Sequence, residues 1–168
     1  MKNLMKITIG AAVLATLPMI TFAGTKSIYG DDDRVDYFDA AAGYKTLSES
    51  VVSLWKAEKV VANGAKFDLT TKNFGDAYGL CPGEKFRDQT LGAFCSGSLV
   101  GDDLIMTAGH CVKTEEDCKN IKMVFGYKVA SAGAAPTTSI PASDVYTCAK
   151  VVTRFLGGTG INPTGQSA

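Results

Sequence analysis

The stretch CSGSLVGDDLIMTAGHCV, Cys95 to Val112, decides the reading of this chain and holds its single histidine, His110. Two strand-like runs, GAFCSGSLV (92–100) and DLIMTA (103–108), meet around Gly101-Asp102, a strong hairpin signal. His110 follows the second run directly, wedged between Gly109 and Cys111. Histidine as a residue type, with an unperturbed pKa of ~6.5, suits general-base work near neutral pH.

Outward from that hairpin the same texture continues. SVVSLW (50–55) is short, apolar and β-branched, which suits a buried strand. AKFDLTTKNF (65–74) alternates moderately. IKMVFGYKVA (121–130) places Met123, Phe125, Tyr127 and Val129 on one side, with Lys122 and Lys128 on the other. DVYTCAKVVTRF (144–155) alternates likewise, with Lys150 and Arg154 on the Tyr146/Cys148 face. Short strands separated by Gly and Pro imply an all-β sandwich or barrel, not βαβ units.

The N-terminus reads as an export signal over 1–23. Lys2 and Lys6 precede an apolar run from Ile7 to Ile20, and TFAG offers cleavage between Ala23 and Gly24. The run is shorter than the ~20 apolar residues of a membrane span. Residues 24–47, with Asp31, Asp32 and Asp33 in a row, read as a polar arm or short propeptide. The barrel is expected over 48–155, and the Gly/Pro/Thr-rich 156–168 as a disordered tail. Lys+Arg and Asp+Glu both number 17. That balance gives no basic stripe for nucleic acid, and no second apolar segment calls for a membrane. Five cysteines, all in the exported part, fit a secreted or periplasmic location. Nothing points to a cofactor. Nor is a metal expected, because no second histidine exists and Cys111-x6-Cys118 is not zinc spacing.

FCSGSLVGDDLIMTAGHCV resembles the segment around the catalytic histidine of trypsin-like (chymotrypsin-fold) serine proteases, in the C-S-G-S-L strand, the turn and T-A-G-H-C. The resemblance implies a single Greek-key barrel equivalent to that fold's N-terminal barrel. It implies catalysis by His110 as general base, a polypeptide substrate, and a disulfide between Cys95 and Cys111 that holds the histidine loop against its strand. Small Ala108 and Gly109 would let the backbone turn tightly there. SVVSLW, KMVFGYKV and VYTCAKVVTRF are similar to further strands of that barrel. SIYGDDDR (27–34) is more narrowly similar to the mature start of bacterial glutamyl endopeptidases.

The remaining triad members have no counterpart. The family's aspartate lies in a D-[IFL]-A-L segment after the strand similar to VYTCAKVVTRF, where this chain reads LGGTGINPTGQSA. Beyond His110 the acidic residues are Glu115, Glu116, Asp117 and Asp144, none at the matching position. The family's serine lies in G-D-S-G-G, for which Ser167 in TGQSA is a poor substitute, with no following chain to build an oxyanion hole. Ser96 and Ser98 belong to the strand. The expectation is a truncated endopeptidase, inactive as given, because loss of the serine or histidine alone costs ~10⁶ in kcat in a triad enzyme of unrelated fold. Cysteine arithmetic points the same way. Cys118–Cys148 is one of three pairings open to Cys81, Cys118 and Cys148, and an odd cysteine remains. The alternatives are a non-catalytic secreted β-barrel that binds a protein partner, and a fragment exposing apolar surface.

Overall fold

The computed structural model describes residues 31–156. The expected signal segment with its Ala23–Gly24 cleavage position, the Ser27–Gly30 portion of the arm, and Ser167 with the rest of 157–168 lie outside the described residues. The contact pattern separates residues 1–34 from 35–168. In the first unit, Arg34 grips the Asp32 carboxylate with two hydrogen bonds of 2.8 and 2.7 Å.

The second unit is all-β, and its strands follow in chain order β1 (Val51–Lys56), β2 (Val60–Asn63), β3 (Lys66–Leu69), β4 (Lys72–Asn73), β5 (Thr90–Leu91), β6 (Cys95–Gly101), β7 (Leu104–Thr107), β8 (Ile121–Val124), β9 (Ser139–Pro141) and β10 (Val145–Thr147). Three short helices accompany them, α1 (Ala42–Ser48), α2 (Phe74–Tyr78) and α3 (Glu115–Lys119). A five-stranded antiparallel sheet runs β10-β8-β1-β6-β7, a three-stranded one runs β2-β3-β9, and β4 pairs with β5. The large sheet curls onto the small one as a single barrel. Among the described residues no helix is long and apolar enough to cross a membrane.

Strand β1 is buried on both faces. Trp55 joins Val60, Leu69, Val124 and Ile140 in the core between the two sheets. Val52 and Leu54, on the opposite face by the two-residue period, join Ile121 and pack against Cys95, Cys111, Val112 and Met123. The histidine loop therefore covers the second face of the central strand. Burying Trp55, Leu54 and Val52 contributes roughly 1.5–3 kcal/mol per side chain.

Strand β6 pairs with β7 through Gly97↔Thr107 and Leu99↔Ile105, then bulges before Gly101↔Leu104, so Asp102-Asp103 forms the turn. A Cβ on Gly97 would lie 2.9 Å from both Ile105 Cγ2 and the Met106 carbonyl, and one on Gly92 would lie 2.2 Å from the Trp55 ring. Both glycines in GAFCSG are thus set by close packing.

The expected long strands stop early. Strand β8 ends at Val124 and the chain turns at Gly126, with φ +76°. The single face expected for Met123, Phe125, Tyr127 and Val129 is thereby split. Met123 and Phe125 pack with Leu54, whereas Tyr127 meets Trp55 edge-on at 5.1 Å. Strand β10 likewise ends at Thr147, and 148–156 continue as irregular chain.

The arm residues from Val35 onward are ordered on the barrel. Gln89 donates to Asp36 (2.6 Å), Tyr37 donates to Glu49 (3.1 Å), and Lys128 donates to Glu49 (2.8 Å) while lying 4.0 Å over the Tyr37 ring. The lysine bond, with Tyr37's, holds the Glu49 carboxyl below its usual value, and Glu49 holds Lys128 above its own.

Candidate active site around His110

Strand β7 delivers the chain into a tight turn, closed by the Cys111 N–H donating to the Ala108 carbonyl at 2.9 Å. His110 sits in this turn and is exposed. Thr107, the last residue of β7, ties back to β6 by donating its hydroxyl to the Ser96 carbonyl at 2.6 Å.

Cys95 and Cys111 are disulfide-bonded, with Cα atoms 6.1 Å apart. The bond welds the residue after His110 to the start of β6. A ring nitrogen of His110 and the two sulfurs lie within 4.8 Å of one another. This trio has the spacing of a metal site, but in the disulfide neither sulfur is a thiolate ligand. Cys118 and Cys148 form the second disulfide, and Cys81 is a free, exposed thiol.

Gly109 does a different job from the one expected of it. Its φ is not positive, so the turn does not need glycine's left-handed freedom. A Cβ there would lie 2.0 Å from the Phe155 carbonyl oxygen and 3.4 Å from Leu156 Cβ. Glycine is required because residues 155–156 press against the turn. Arg154 adds a hydrogen bond, its Nε donating to the Gly109 carbonyl at 2.7 Å.

The acidic residues after His110 all have local work. Glu115, Glu116 and Asp117 lie on α3. Thr114 and Asp117 cap that helix reciprocally. Asp117 accepts from the Lys113 and Thr114 amides at 3.0 and 3.1 Å, and these bonds, led by that of Lys113, hold its carboxyl below the usual value. Glu116 accepts from Asn120, Glu115 from the Val151 amide at 3.0 Å, and Asp144 from Ser143. Among the described residues His110 has no side-chain hydrogen bond. A cleft of about 590 Å³ lies elsewhere, between the arm and the barrel. Tyr37, Glu49, Thr90, Tyr127 and Lys128 help line it, and His110 does not.

Sequence reasoning missed the bonds from Arg154 to the Gly109 carbonyl and from the Val151 amide to Glu115. No periodicity marks them, since both act through backbone groups. The signal within reach was T-E-E-D at 114–117, a capping box that announces α3.

The site is thus an exposed histidine on a turn that a disulfide ties to the preceding hairpin strand of a single all-β barrel. Residues 83–151 match the family model described as Trypsin, and over this segment the chain is similar to trypsin-like domains. No curated protein and no solved structure matches the chain.

Proposed function

We propose that this chain is the histidine-bearing barrel of a serine endopeptidase and that His110 is its general base. One observation carries the reading. His110 projects from a turn fixed covalently to β6, inside the segment that matches the trypsin family. A base of this kind takes the proton from a serine hydroxyl as it attacks a peptide carbonyl and returns it to the leaving amine. Fixing the imidazole removes orientational freedom that would otherwise add to the barrier.

Two elements of that chemistry are not among the described residues: a carboxylate to orient the imidazole and a serine nucleophile within its reach. Residues 31–156 therefore hold the base without its partners and are not expected to turn over peptides on their own. The two disulfides and the apolar N-terminal run support export from the cytoplasm. The substrates are polypeptides. The narrower likeness to glutamyl endopeptidases rests on Ser27–Arg34 alone, which lies outside the matched segment.

The test begins with the gene. Reading past the Arg154 codon in all three frames is expected to give a D-[IFL]-A-L segment followed by G-D-S-G-G. A fluorophosphonate probe should label a product that includes that serine and fail to label the 168-residue chain. Labelling of the 168-residue chain would refute the proposed inactivity. Absence of both motifs would favour a barrel that binds a protein partner.

A further inference from the structure

We propose that Arg154 is a positioning residue for His110, acting through the peptide bond that precedes it, and that residues 148–156 form a clamp over the histidine turn. The inference rests on the reading of His110 as a base. It adds that the geometry of that base is set by a part of the chain sequence patterns treat as a strand end.

Two peptide planes flank the His110 Cα, and they fix its φ and ψ. The plane after it carries the Cys111 N–H, which is held by the Ala108 carbonyl at 2.9 Å. The plane before it carries the Gly109 carbonyl, which accepts from Arg154 Nε at 2.7 Å. A charged donor makes this one of the stronger hydrogen bonds available to a carbonyl. The Phe155 carbonyl oxygen lies 2.0 Å from where a Gly109 Cβ would be, so residues 155–156 pack closely on that side of Gly109. Disulfide Cys95–Cys111 then fixes the next Cα.

The clamp has its own anchors. It begins at Cys148, bonded to the buried Cys118 of α3, and three residues later the Val151 amide donates to Glu115 at the first position of α3. The turn leads through 112–114 into α3, α3 holds the clamp, and the clamp returns to the turn. This closed loop of contacts leaves the His110 backbone one conformation while its imidazole faces solvent.

The experiment uses the full chain and backbone ¹⁵N relaxation at His110 and Cys111, with imidazole ¹H–¹⁵N spectra that are unambiguous for a single histidine. In the parent protein the order parameter at His110 should be that of rigid backbone, about 0.85, and in Arg154→Ala it should fall toward the flexible range, below about 0.6. Arg154→Lys, which keeps a charged donor, should recover much of the order. A merely structural role would lower the melting temperature and leave the folded-state order parameter and imidazole shifts unchanged; that result overturns the proposal. If Arg154→Ala does not fold, Glu115→Ala loosens the clamp one contact away and should lower the His110 order parameter in the same direction, an unchanged value again overturning it. None of these readouts depends on turnover. The clamp can therefore fail while His110 remains the base, and a serine-bearing form that keeps its activity in His110→Ala would remove the base while the clamp stands.

Discussion

The histidine turn and the arm residues from Val35 onward both lie on the barrel surface, and they are held there mainly in opposite ways. The turn is fastened by a disulfide, by backbone groups in contact, by a glycine that leaves no room to move, and by one side chain, that of Arg154. The arm is fastened by side chains, with Glu49, Lys128, Tyr37, Asp36 and Gln89 meeting across an exposed seam. Covalent and backbone constraints keep their strength in water, whereas exposed ion pairs are screened and contribute little. A catalytic base that must keep one orientation belongs on the first kind of support. The second kind suits a segment able to detach.

The largest effect that would break this contrast comes from removing the weld. Cys95→Ala with Cys111→Ala opens a loop of sequence separation 16 and should cost about 3 kcal/mol on the chain-entropy account. Denaturant unfolding should show this as a lower midpoint. Gly109→Ala comes next, because the new methyl would meet the Phe155 carbonyl at 2.0 Å. Overpacking of this kind costs ~1–3 kcal/mol, and hydrogen exchange at 109–111 should accelerate beyond what the lost stability explains. Thr114→Ala removes the cap of α3 and should cost about 1 kcal/mol, read in the same unfolding assay.

The smallest effect falls on the arm. Glu49→Gln weakens a pair whose members are 58% and 29% exposed, so the stability change should stay below about 0.5 kcal/mol. Limited proteolysis should nevertheless cut 35–49 faster. The pH dependence follows from the direction of each shift. Glu49 titrates below its usual 4.5 in the folded chain, so its contribution is present above that value and lost as pH falls. Lys128 titrates above its usual 10.5, so its contribution is present below that value and lost as pH rises. Arm protection should therefore be greatest between those limits and fade with added salt, while the turn, which the disulfide also ties, should respond less to both. Equal sensitivity of the two regions would erase the distinction.

The same contrast explains what could be read from the amino acids alone. Strands β1, β6 and β7 were legible because SVVSLW, CSGSLV and DLIMTA are short apolar runs, two of them around a turn. The histidine loop was legible because a histidine, a cysteine and small residues at fixed spacing form a local pattern. Strand β8 was overextended because alternation persists through Tyr127 and Val129 after the backbone has turned at Gly126. The arm's order was invisible because its holding bonds, such as Lys128 to Glu49, join residues 79 positions apart. Arg154 escaped notice for a related reason. Its role depends on the Gly109 carbonyl, a group every residue possesses, 45 positions earlier.

The central claim, that this barrel holds the base of a serine endopeptidase, is tested most directly by fluorophosphonate labelling of a serine-bearing form with and without His110. The account predicts prompt labelling of the parent and loss of labelling in His110→Ala, with peptide turnover falling by ~10⁶. Labelling at the parent's rate after His110→Ala would contradict it.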